Sequence, residues 1–163
     1  MSVSVHGDTL VFDLLGDLWT MPLAGGQATA LTSGRAWDVE PRFSPDGARI
    51  AFVSDRGGNE QLWVMNADGS NPVQITKEKE HTIHTPTWSH DGQYIAVTRG
   101  VMSSRSVAAG EIWIYHHTGG SGSGVLEPPQ CAQYNKVTRS YTGEFTKQQQ
   151  GRATPTTHLT LGA

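Results

Sequence analysis

The side chains able to do chemistry are few, and their spacing argues against a catalytic centre. His81 and His84 stand three residues apart, a helical spacing for metal ligands, but the strand opening at Pro86 follows at once. They are expected to be ordinary loop histidines. His116 and His117 end a strand, where neighbouring side chains point to opposite faces and cannot easily grip one ion. Asp55, Asn59 and Glu60 lack the regular spacing of a calcium loop. Asp38 and Glu40 could serve as acid and base, yet nothing in the local sequence would give them opposite roles. Cys131 lies in a Pro- and Gln-containing stretch and reads as a bystander thiol. Gly-x-Ser-x-Gly, Gly-x-x-x-x-Gly-Lys and His-Glu-x-x-His are all missing. The expectation is no catalytic residue, no cofactor and no metal.

Composition narrows the field further. The 163 residues are 36% hydrophobic and 17% charged, with 19 glycines and 8 prolines, which describes a turn-rich domain with a real core. The net charge is −3 and the 12 Lys and Arg are scattered, so no nucleic-acid partner is expected. One cysteine excludes an intrachain disulfide. No apolar run approaches the ~20 residues that span a bilayer. Residues 1–7 lack the basic start and apolar segment of a signal peptide, so the chain as written is expected in the cytoplasm.

The elements that position these side chains announce themselves by repetition. Pro41-Arg42-Phe43-Ser44-Pro45-Asp46-Gly47-Ala48-Arg49-Ile50-Ala51-Phe52 recurs 45 residues later as Pro86-Thr87-Trp88-Ser89-His90-Asp91-Gly92-Gln93-Tyr94-Ile95-Ala96-Val97. A worn copy opens the chain over 3–12. Asp17-Leu18-Trp19, Gln61-Leu62-Trp63 and Glu111-Ile112-Trp113 form a second set, and Leu31-Thr32 with Ile75-Thr76 a third.

Each unit reads as four short strands, in the middle unit 41–44, 49–54, 61–66 and 73–76. Pro45 and Gly47 suit the first turn; Asp68-Gly69 marks the last. Ile50-Ala51-Phe52-Val53 and Leu62-Trp63-Val64-Met65 are apolar on both faces, so both faces must be covered. A sandwich has no reason to repeat at a fixed period. The expected fold is all-β: a partial β-propeller of about three four-stranded antiparallel blades, near 1–34, 35–80 and 81–120. The recurring tryptophans at 19, 63 and 113 are expected to pack between blades.

These residues resemble the TolB-like propeller family, whose repeat centres on a P-x-[FW]-S-P-D-G-x-x-I-A-F core, over about 3–120. A narrower likeness, to propellers fused to metal-dependent amidohydrolases, rests on 12–19, 54–58 and 77–84. It implies a propeller that precedes a hydrolase barrel and is exported or periplasmic. No segment here matches the barrel, and none of its catalytic residues carries over. His90 stands where the pattern has proline, and the first copy has Val5-His6.

Past Tyr115 the pattern fades. Residues 121–163 read as a Gly/Ser linker and a low-order tail with Pro128-Pro129 and Gln148-Gln149-Gln150, composed like a disordered terminus or a shifted reading frame.

Antiparallel order sets which loops share an end. The short Gly/Asp turns lie at one end of each blade. The second-to-third loops and the inter-blade connections lie at the other, and carry Trp37, Asp38, Glu40, His81 and His84 as candidate binding residues. The expected role is a non-catalytic accessory module that scaffolds or gates a larger amidohydrolase-type enzyme. The alternatives are a protein-interaction propeller of the periplasmic Tol-system type and a truncated product. Expected partners are the rest of a propeller or hydrolase, or another protein, with self-association of the isolated chain.

Overall fold

A computed structural model describes residues 1–101, 111–126, 133–135 and 140–142. Cys131, the tip of the loop before Gly110 and most of the tail, with its proposed frame shift, lie outside the described residues.

The described chain is strand and turn throughout. The first sheet orders β1 (Val3–His6), β2 (Thr9–Leu14), β3 (Asp17–Pro22) and β4 (Thr29–Ala30) consecutively. The second repeats this with β5 (Asp38–Phe43), β6 (Arg49–Ser54), β7 (Gln61–Asn66) and β8 (Val73–Gln74). The third does so with β9 (His81–Trp88), β10 (Tyr94–Val101), β11 (Glu111–His116) and β12 (Ser123–Leu126). Every pairing is antiparallel. A separate hairpin joins β13 (Gln133–Asn135) and β14 (Ser140–Thr142).

Apolar residues on both faces of the strands do what their pattern requires. From β6, Ile50 and Phe52 join Met65, Val11 and Leu18 in one core between the first two sheets. Their neighbour Ala51 points the other way, into a second core with Leu62, Val64, Ile75, Ile83, Ile95, Val97 and Tyr115. Trp63 packs on the first core, and Trp88 and Trp113 on the second. The middle sheet is thus buried on both sides by its two neighbours, as blades are.

Three local devices explain the repeated motifs. In the first, Ser44 Oγ accepts the Arg49 N–H at 2.9 Å, Asp46 accepts the Ala48 N–H at 3.1 Å, and Gly47 takes φ 69°. Ser89, Asp91 and Gly92 repeat this at 2.9 Å, 3.0 Å and φ 68°. The Ser44 hydroxyl and then the Ala48 N–H hold Asp46 below its ordinary carboxylate value, and Ser89 and Gln93 do the same for Asp91. His90 in the proline position costs the turn nothing visible, because Ser, Asp and Gly make its bonds.

In the second device, Thr76 Oγ1 accepts the Leu62 N–H at 3.0 Å and Thr32 Oγ1 accepts that of Leu18 at 2.9 Å. The Leu31-Thr32 and Ile75-Thr76 landmarks therefore clip the short outer strands of the first two sheets to their neighbours.

The third device was hidden. β5 and β9 each carry a bulge just before proline, with Glu40 at φ 57° and Thr85 at φ 50°. This lengthens the first strands: β5 starts at Asp38, and β9 at His81, inside what reads as a connection. β12 lies just past the boundary expected at 120. An outer strand is held by backbone bonds and needs no apolar side chains.

Candidate functional site

The inter-blade connections and second-to-third loops share one end of the sheets, and each candidate residue is there. The connection into β5 is pinned from both sides. Asp38 donates its N–H to Gly16 O at 2.8 Å, and Trp37 donates its N–H to Asp55 Oδ1 at 2.7 Å. The Trp37 ring lies on Gly16, where a Cβ would meet it at 3.0 Å. Its other side faces solvent, leaving the residue 58% exposed.

Beside Trp37 is a pocket of about 340 Å³ whose walls include Asp13, Leu14, Leu15, Val39 and Glu40. Asp13 is only 6% exposed. Its Oδ1 accepts the Ser2 N–H and its Oδ2 the Glu40 N–H, each at 2.9 Å. The Met1 ammonium lies 3.5 Å from Oδ1. Glu40 in turn accepts the Thr85 N–H, and Thr85 Oγ1 bonds Thr98 Oγ1 at 2.7 Å. The two bulges thus turn backbone N–H groups toward a carboxylate of the preceding sheet, linking the three sheets in order.

Asp38 does not belong to this open surface. It is 1% exposed, and its Oδ2 pairs with Arg56 Nη2 at 2.6 Å. The guanidinium also lies over the rings of Phe52 and Trp63, at 5.3 Å and 5.2 Å from their centroids. Asp38 is a packing carboxylate that neutralises the half-buried Arg56, which leaves Trp37 and Glu40 on the open surface.

His81 and His84 lie in β9 and face different partners. His81 contacts Arg99 Nη2 at 3.1 Å and Glu78 Oε2 at 3.7 Å, whereas His84 contacts Glu60 Oε2 at 3.6 Å. Arg99 also sits 3.6 Å from Glu78, 3.7 Å from Glu111 and 4.1 Å over the Trp113 ring. Tyr115 donates its hydroxyl to Glu78 Oε1 at 3.1 Å, and burial followed by the Glu78 charge pushes its pKa up, so it stays a donor. Buried Gln61 donates to the Glu78 and His81 carbonyls, each at 3.1 Å. This network holds the second connection in place. Among the described residues, no three His, Cys, Asp or Glu converge to hold a metal ion.

Two walls of the pocket escaped sequence reasoning: Asp13 and the exposed Leu14-Leu15 corner. Asp13 carries one signal, a lone acid inside an apolar strand, but its value depends on a strand of the next sheet.

Residues 1–123 match the family described as the Tricorn protease N-terminal beta propeller domain. The chain is 33% identical over 92 residues to an uncharacterized peptidase, YuxL, of Bacillus subtilis, covering 56% of this chain and 14% of that protein. It is 31% identical over 101 residues to Tricorn protease homolog 1 of Streptomyces coelicolor, covering 61% and 10%. Among solved structures, a putative TolB from Agrobacterium tumefaciens superposes with a TM-score of 0.64 at 24% identity, over 72% of this chain and 45% of that one. The chain thus spans a small part of the curated relatives it matches.

Proposed function

The chain belongs to the Tricorn protease N-terminal β-propeller family, and from that premise we propose that it is a non-catalytic propeller segment that scaffolds and gates a larger hydrolase. The carrying observation is the loop-end face, where Trp37, Glu40 and Asp13 line a pocket of about 340 Å³. The peptidase names of the two curated relatives support peptide C–N bonds as the chemistry of the parent enzyme. The likeness of 12–19 and 54–84 to amidohydrolase-linked propellers supports the same arrangement beside a different hydrolase. Trp37, Glu40, His81 and His84 are the side chains we assign to the face that substrate or partner meets.

Purified chain, assayed with peptide and amide substrates plus added zinc or manganese, is expected to show no turnover. Deleting residues 1–123 from the parent enzyme should change selectivity for long against short substrates while leaving short-substrate turnover. Turnover by the chain alone, abolished by chelation, would overturn the reading.

The TolB-like fold favours a second reading, a periplasmic interaction propeller of the Tol type. It predicts a complete propeller with no hydrolase domain in the parent reading frame.

A further inference from the structure

The geometry points to the pocket between the first two sheets as a subsite for a basic side chain of an extended peptide. An arginine or lysine would lie with its stem along Trp37 and Leu15 and its cationic head toward Glu40. The inference adds to the gating role but stands without any hydrolase.

Four observations carry it. First, Trp37 is held for contact: its backbone is bonded to Asp55, one ring face is seated on Gly16, and the other is open. Second, three of the remaining tryptophans already carry a guanidinium. Arg56 lies over Trp63, Arg49 over Trp88 and Arg99 over Trp113, at 5.2, 5.1 and 4.1 Å. Trp37 has the exposed ring that such a cation would need.

Third, Glu40, a carboxylate of the pocket wall, is not neutralised by any Lys or Arg of that wall. Asp13 is buried, and its side-chain bonds come from backbone N–H groups. Fourth, Leu15, 89% exposed at φ 55°, offers an apolar wall that a polar small molecule would not use but a side-chain stem would.

The test is a titration of the full chain with an N-acetylated, C-amidated pentapeptide bearing one central arginine. Lysine and norleucine versions run in parallel, and the Trp37 indole N–H is followed by NMR. The basic peptides should shift that signal saturably and the norleucine peptide should not, with binding weakened by salt. Glu40→Gln keeps an oxygen for the Thr85 N–H but removes the charge, and should weaken binding about tenfold, or 1.4 kcal/mol. Trp37→Leu should do the same and Trp37→Phe less, both followed through the backbone amide signals of Gly16 and Glu40 because the indole is gone. Unchanged thermal melts certify that the variants fold; should Trp37→Leu fail to fold, Trp37→Phe carries the comparison. Equal binding of norleucine and arginine peptides, no saturable shift, or unchanged affinity in the folded variants would each overturn the assignment.

Discussion

Thr76→Val removes one buried oxygen and nearly nothing else, so its cost can be worked from the bonds it breaks. Thr76 is 2% exposed; its hydroxyl accepts from Leu62 N at 3.0 Å and donates to Gln61 Oε1 at 2.7 Å. Without it the Leu62 N–H loses its side-chain acceptor in a buried site, which costs about 1–3 kcal/mol. Gln61 Oε1 keeps the Glu78 N–H at 2.8 Å, so its loss is nearer one ordinary net bond, about 1 kcal/mol. The sum is about 2–4 kcal/mol. With a urea m-value of about 1–3 kcal/mol per molar, the midpoint should fall by roughly 1–2 M. Thr32→Val is the internal control. Its hydroxyl makes the matching bond to Leu18 N at 2.9 Å, but the residue is half-buried, and water can replace the lost acceptor. About 1 kcal/mol is expected there. Equilibrium urea unfolding followed by tryptophan fluorescence reads both. If the two variants shift the midpoint equally, or if Thr76→Val moves stability by less than about 0.5 kcal/mol, the clip is not what holds the outer strand.

Three further outcomes follow from the same contacts. Gly47→Ala and Gly92→Ala both place Ala at positive φ, 69° and 68°, and each should cost about 1 kcal/mol or more in chemical denaturation. Only Gly47→Ala also drives a Cβ into the His6 ring, so it should be the worse of the two, and His6→Ala should bring the pair level. Arg56→Met strands the buried Asp38 carboxylate and should cost about 3 kcal/mol, with Asp38→Asn recovering part of the loss in the double variant. His117 is held below the ordinary 6.5, by burial first, then by Arg49 and His116. A depressed folded-state value means its stability contribution is complete above 6.5 and lost as pH falls through the folded value. Thermal melts from pH 8 to 5 should therefore slope less for His117→Asn than for the wild type.

The parts of the fold legible in the sequence are those where one residue type has one physical job. β6 and β7 occupy 49–54 and 61–66 as the doubly apolar runs require. The Ser-x-Asp-Gly turn was readable because its bonds are local, and for the same reason His90 could replace proline harmlessly. The pre-proline bulges were not readable. Glu40 and Thr85 adopt a backbone that a residue before proline seldom takes, and they do so because a neighbouring sheet offers an acceptor for the freed N–H. Asp38 looked like a loop acid because Arg56, which neutralises it, lies 18 residues away along the chain. Asp13 went unnoticed for the same reason: its meaning lies in a contact between blades. Of the candidate site, Trp37 and Glu40 were found by placing loops at one end, which strand order alone decides.

The central claim is that consecutive repeat units are neighbouring blades that share cores across their faces. Methyl-labelled NMR spectroscopy of the full chain tests it most directly. Nuclear Overhauser contacts should link Val11 and Leu18 to Ile50, and separately link Leu62 and Val64 to Ile83, Ile95 and Val97. Contacts confined within each four-stranded unit, with none between units, would contradict the account.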